Sequence, residues 1–197
     1  MKKYINNLYL LPNHIFINKS LINDSDYGLF TSKPIKKNGI VYKYDTIIWP
    51  TNKSGSYKKN ISVDIYNNNN FKKKFKFNYI QHSEFNINNT LDFTGFDLLI
   101  NHSCDFNCYY DRDMKTLRAY REIEKDEELY INYNLSNYDY KIEHNEIIDC
   151  LCKSKKCEKK IKGFKYLSDN NKKNLHKFTN KYVYNILTNT KKFTKKL

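Results

Sequence analysis

Apolar residues in this chain recur in short alternating runs rather than long stripes. Gly28 and Gly39 bracket Leu29-Phe30-Thr31-Ser32-Lys33-Pro34-Ile35. Val41-Tyr42-Lys43-Tyr44 then alternates before Ile47-Ile48-Trp49-Pro50, and Ser62-Val63-Asp64-Ile65-Tyr66 ends at the run Asn67 to Asn70. A period of two in segments this short predicts half-buried strands joined by turns, one of them at Lys37-Asn38-Gly39. Further strands are predicted near Phe75 to Ile80, Leu98 to Ile100, Leu117 to Tyr120 and Glu128 to Ile131. Lys72 to Lys76 reads as a charged, exposed continuation of the asparagine loop. Past Cys157 the period changes. Leu175, Phe178, Tyr182, Val183, Ile186 and Leu187 recur at three and four residues, so Ser168 is predicted to cap a single helix running to about residue 189, its stripe packed on the domain.

Composition adds limits. The 197 residues fit one domain, and 18 Tyr with 12 Phe supply enough large side chains for a core. The formal charge of +14 is nearly all lysine, the only arginines being Arg112, Arg118 and Arg121. Base readout favours arginine, so nucleic acid is disfavoured as a specific ligand and a solvated basic surface is the simpler reading. No apolar run approaches the roughly 18 residues that span a bilayer, so no membrane partner is expected. The stretch Leu8 to Leu11 is cut by Pro12-Asn13-His14 before a signal-peptide core could form. Intracellular residence, in nucleus or cytoplasm, is the expectation.

In such a compartment the spacing C-x-C-x4-C at Cys150, Cys152 and Cys157 points to a metal rather than to disulfides. Residues i and i+2 of an extended segment face one side, so Cys150 and Cys152 can offer two thiolates to one ion, and the next four residues can turn Cys157 toward it. Three ligands leave a fourth position. Cys104 or Cys108 would close a structural zinc site; a catalytic zinc would keep water there, with His102 or His144 as further candidate ligands.

Ile100-Asn101-His102-Ser103-Cys104-Asp105-Phe106-Asn107 strongly resembles the signature of the SET-domain protein-lysine methyltransferases. Leu117 to Asn134, with Glu127-Glu128-Leu129-Tyr130-Ile131-Asn132-Tyr133 inside it, resembles that family's final strand, turn and tyrosine segment, Asp126 standing where glycine is usual. Asp26-Tyr27-Gly28-Leu29-Phe30, followed by Ile35, Gly39 and Tyr44, is similar to its opening motif, with Asp26 in place of the first of two glycines. The cysteine cluster and Ile161-Lys162-Gly163-Phe164 resemble a post-SET zinc motif.

The resemblance implies a mainly β fold of small sheets with a knot-like C-terminal crossing. Its parts would be an N-terminal extension (1–20), a SET domain (21–135), a post-SET zinc segment (136–167) and a C-terminal helix and tail (168–197). It implies S-adenosylmethionine as methyl donor, a protein substrate carrying the target lysine, such as a histone, and one structural zinc held by Cys104, Cys150, Cys152 and Cys157, with Cys108 left free. Tyr133 would be the catalytic tyrosine. Tyr27, Gly28, Leu29, Asn101, His102, Tyr133 and Leu151 would bind the cofactor, Gly28 by close backbone approach and Leu151 by covering the adenine. Tyr44 and Ile131 would line the lysine channel. Two other readings compete: a catalytically silent SET-like binding module, and a basic nucleic-acid-binding zinc protein.

Overall fold

The computed structural model describes residues 8–23, 26–43, 48–50, 61–66, 72–77, 90–92, 99–112, 116–145 and 147–194. Among the described residues the strands are short and sort into six small sheets. Strands β1 (Leu8–Leu10), β6 (Ile61–Tyr66) and β7 (Lys72–Phe77) form one, with β1 parallel to β6 and β7 antiparallel to it. Strands β2 (Ile15–Lys19) and β3 (Tyr27–Thr31) pair antiparallel over five residues. Another sheet sets β4 (Ile40–Lys43) beside β11 (Thr116–Ala119) and β10 (Cys108–Tyr110), and β5 (Ile48–Pro50) pairs with β8 (Thr90–Asp92). Strands β9 (Asn101–His102) and β12 (Tyr130–Ile131) make a two-residue parallel pair.

The remaining elements are α1 (Tyr140–His144), the hairpin β13 (Ile148–Asp149) and β14 (Lys160–Ile161), α2 (Asp169–Leu175) and α3 (Lys181–Thr194). Two apolar clusters hold the fold. The first gathers Leu11, Ile15, Leu29, Val41, Ile100, Leu117, Ile123 and Leu129 from segments far apart in sequence; the second joins Phe106 and Leu135 to Phe164, Leu167 and Val183 of the C-terminal part. Each such side chain contributes about 1.5–3 kcal/mol by leaving water.

Three expectations change. The strand expected from Phe75 begins earlier, at Lys72, inside the stretch read as a loop; Phe75 and Phe77 keep a period of two that the surrounding lysines obscure. The strand expected at Leu98 to Ile100 falls instead at Asn101–His102, just past its expected end, because Leu99 lies in a 3-10 turn. The segment assigned to an N-terminal extension contributes Leu11, Ile15 and Ile17 to the core.

The single C-terminal helix is instead α2, a 3-10 turn at His176–Phe178, and α3. Ser168 does cap α2, accepting from Asn171 N at 3.2 Å. The break falls at Asn180. Its backbone N–H donates to Leu135 O at 3.2 Å and its side-chain amide to Ser136 O at 3.0 Å, while its Oδ1 accepts from Val183 N at 3.0 Å. Three tertiary and capping bonds outweigh continuation of the stripe.

Candidate functional site

Parallel pairing of β9 with β12 sets Asn101 beside Tyr130 and His102 beside Ile131, and the polar groups of the site are built on this pair. Glu128, two residues before β12, is fully buried. Its Oε1 accepts from Ser20 Oγ and Asn101 Nδ2, both at 2.9 Å; its Oε2 accepts from Leu21 N at 2.7 Å and from the Tyr130 hydroxyl at 2.6 Å. Four donors match the acceptor capacity of a carboxylate, which offsets the cost of burying it. Gly28 makes the room: a Cβ built there would lie 2.0 Å from Glu128 Oε1 and 3.1 Å from its Cγ. Burial, then the bond to Glu128, pushes the Tyr130 phenol well above its ordinary range, so it remains a donor.

Burial lowers His102 to about 4, leaving a neutral ring. Its Nδ1 accepts the Tyr133 backbone N–H at 3.0 Å, which places the ring proton on Nε2, 3.5 Å from Cys104 Sγ. Tyr133 opens a 3-10 turn capped by Asn132, whose Oδ1 accepts from Asn134 N at 3.0 Å. Its carbonyl accepts from Asn137 Nδ2 at 2.9 Å and its hydroxyl donates to Ile100 O at 2.7 Å. Backbone and ring are therefore held from three sides. Burial raises this phenol too, and with its proton committed to Ile100 the oxygen lone pairs are left to accept.

The sulfurs of Cys104, Cys150, Cys152 and Cys157 all lie within 4.8 Å of one another, Cys104 and Cys150 at 3.8 Å. An ion bound tetrahedrally at a Zn–S distance of about 2.3 Å requires S···S edges of about 3.8 Å, so the donor set fits zinc. Backbone N–H groups point at two of the sulfurs: Glu158 N to Cys104 Sγ and Lys159 N to Cys157 Sγ, each at 3.3 Å. Such bonds favour thiolate over thiol. The β13–β14 hairpin closes the loop, extended by Cys150 N donating to Lys159 O at 2.8 Å. Burial pushes the Cys104 thiol up to about 12 and raises that of Cys150. At Cys152 burial acts in the same sense, but backbone hydrogen bonds at Cys104 and Ser154 bring it down to about 7. A bound dication would favour thiolate at all of them.

A family model described as SET domain matches residues 26–134, more than half of the chain. The chain belongs to the SET domain family. No curated protein matches it. Among solved structures it is similar to a candidate histone methyltransferase of Plasmodium falciparum, at 22% identity and a TM-score of 0.36, covering 62% of this chain and 95% of that one. It is also similar to the methyltransferase domain of human PR domain-containing protein 2, at 15% identity and a TM-score of 0.36, covering 61% of this chain and 76% of that one.

The cysteine cluster straddles the edge of the SET domain, Cys104 inside the matched residues and the other three beyond them. Other expected site residues sit variously. Leu29 is fully buried in the first core cluster, its carbonyl accepting from Leu129 N at 2.7 Å, so its side chain is structural. Gly28 faces the Glu128 carboxylate on its Cβ side, which is the reason for glycine there. Asn101 Nδ2 is spent on Ser20 Oγ, Tyr27 O and Glu128 Oε1, so its amide nitrogen holds the SET domain together rather than reaching outward. Tyr27 packs half-buried against the core with Lys19 Nζ 4.6 Å from its ring centroid. Ile131 is buried. Leu151, between two cysteines, is 57% exposed. Tyr44 lies outside the described residues, as does the side chain of His144. Cys108 is fully buried in β10, away from the cluster.

Sequence reasoning missed Glu128, Asn107 and Asn134 as organisers of the SET domain. Asn107 Nδ2 donates to Glu128 O at 2.7 Å and its Oδ1 accepts from Tyr130 N at 2.7 Å, so it fixes the strand that carries the tyrosines. Asn134 Oδ1 accepts from Lys162 N and Gly163 N at 3.1 and 2.8 Å, tying the C-terminal segment to the turn after Tyr133. A buried asparagine has no sequence signal beyond its place within a motif. Asp26, read as a lost glycine, is not among the positive-φ residues, whereas Asp126 has φ 63°; only the second position demands left-handed backbone.

Proposed function

We propose that this SET domain protein transfers a methyl group from S-adenosylmethionine to the ε-amine of a lysine in a protein substrate, and that Cys104, Cys150, Cys152 and Cys157 hold one structural zinc. Membership of the SET domain family supports protein methyltransferase activity; lysine as acceptor and S-adenosylmethionine as donor belong to this reading. When bound, S-adenosylmethionine supplies a sulfonium-activated methyl, the N–C bond forming as the S–C bond breaks.

The protein's part is positioning. A free lysine has a pKa of roughly 10.4, and only its neutral form has a lone pair to attack with. A buried channel would desolvate the ammonium and favour loss of its proton. Tyr133 carries the reading: with its O–H given to Ile100 O at 2.7 Å, its oxygen can accept from the polarised methyl and orient the amine, the kind of alignment that supplies much of such a barrier reduction. His102 links this tyrosine to the metal centre, accepting from Tyr133 N and facing Cys104. Leu151, exposed between two zinc ligands, offers an apolar surface for the purine ring. Thiols reserved for a metal suit a reducing, intracellular compartment.

The test is transfer of labelled methyl from S-adenosylmethionine to lysate proteins, followed by identification of the modified side chain. Tyr133→Phe removes the bond to Ile100 O and should lower transfer on the order of 100-fold, the cost of a small misplacement at a reacting centre. Label that is independent of Tyr133, or that resides on a residue other than lysine, would refute the assignment.

A further inference from the structure

The positive charge is not spread over the chain. Residues 150–197 carry fifteen lysines, with Glu158 and Asp169 as their acidic residues, whereas residues 1–149 are close to balanced between acid and base. Almost the whole of the +14 charge therefore lies in the cysteine loop and the helices that follow it.

The fold seats α2, which carries Lys172 and Lys173, against the cysteine loop. Asn171 Nδ2 in α2 donates to Glu158 Oε1 at 2.8 Å, a bond that engages the acidic residue of the loop. Lys156, Lys160, Lys165 and Lys172 pair with Asp105, Asp149, Asp139 and Asp169. Lys153, Lys155, Lys159, Lys173 and Lys177 are exposed and have no carboxylate partner among the described residues. Two of them, Lys153 and Lys159, stand at left-handed backbone positions with φ of 53° and 65°, where glycine or asparagine would be less strained.

We propose that this lysine-rich part, made of the cysteine loop, α2 and the 3-10 turn after it, binds the phosphate backbone of nucleic acid without reading sequence. Duplex DNA presents one charge about every 1.7 Å of its axis, and lysines that neutralise phosphates release counterions wherever they land. Scarcity of arginine disfavours base readout but leaves this mode intact. A membrane surface fits less well. Interfacial helices need a free apolar face, and here Leu175, Phe178, Tyr182 and Leu187 are packed against the second core cluster around buried Val183.

The inference does not depend on methyl transfer, and its test uses the zinc-loaded full chain. Anisotropy of a labelled short duplex of mixed sequence, titrated at several salt concentrations, should give log K falling linearly with log salt, with a slope of about −3 or steeper. Replacing Lys153, Lys155, Lys173 and Lys177 together by Glu should weaken binding roughly 100-fold, while the same four-charge reversal at Lys33, Lys36, Lys37 and Lys43 on the SET domain should change it less than about threefold. Zinc content checks that each variant is folded. Lys173→Glu with Lys177→Glu alone, which leaves the cysteine loop untouched, should cost roughly tenfold. The proposal is overturned if the SET domain variant loses as much as the variant of the lysine-rich part. It is equally overturned if phosphatidylserine vesicles or a polyglutamate peptide bind as tightly as the duplex.

Discussion

Replacing Gly28 with alanine would place a methyl carbon 2.0 Å from Glu128 Oε1 and 2.7 Å from its carboxyl carbon. The carboxylate cannot swing away cheaply, because it is fully buried and held by Ser20, Leu21, Asn101 and Tyr130. Overpacking costs about 1–3 kcal/mol, and each buried donor left without its acceptor adds about 1–3 kcal/mol. Mid-range values of about 2 kcal/mol for the overpacking and about 2 kcal/mol for each of one or two broken bonds bring the total to roughly 4–6 kcal/mol. Urea unfolding at saturating zinc should show that loss as a lower midpoint with an unchanged slope. The decisive comparison is a double-mutant cycle with Glu128→Ala. On that background the obstructing carboxylate is gone, so Gly28→Ala should cost under about 1 kcal/mol, a coupling of at least 2 kcal/mol. Additivity within about 0.5 kcal/mol would show that Gly28 is required for some other reason.

Three further outcomes are expected. Cys104→Ser should lower zinc stoichiometry and Cys108→Ser should not, since Cys108 is buried in β10 outside the cluster; the reverse pattern by metal analysis would overturn the ligand set. Zinc affinity should rise with pH through neutrality, because binding must displace protons from thiols such as Cys104, which burial pushes up to about 12. Two displaced protons correspond to roughly 100-fold per pH unit, so a pH-independent affinity from chelator competition would count against thiolate ligation. Asp126→Gly should raise stability by about 0.5 kcal/mol, the relief of a left-handed residue exceeding glycine's entropy cost. Asp26, which is not among the positive-φ residues, should lose about 0.5–1 kcal/mol by the same change, and thermal melts of the two variants should move in opposite directions.

Much of the site was legible because its signals are local. Asn101-His102-Ser103-Cys104, the Glu127 to Tyr133 string and the spacing of Cys150, Cys152 and Cys157 each place several groups within a few residues, where backbone geometry alone limits where they can go. Short alternating runs likewise determined the class of small sheets. The start of the strand at Lys72–Phe77 was obscured because lysine content masks a period of two, and pairing with β6 decides the matter.

Tertiary structure decided the rest. The single stripe from Leu175 to Leu187 is periodic enough for one helix, yet Asn180 breaks it through bonds to Leu135 and Ser136, more than forty residues away in sequence. Glu128 meets Ser20 across 108 residues, and no local pattern announces that a carboxylate in a charged segment will be buried against a glycine one hundred positions earlier. Residue types and their spacing determined which chemistry was available. Which donors face which acceptors depended on chain closure, because the burial of Glu128, the orientation of His102 and the gathering of four sulfurs exist only once distant segments share one interior.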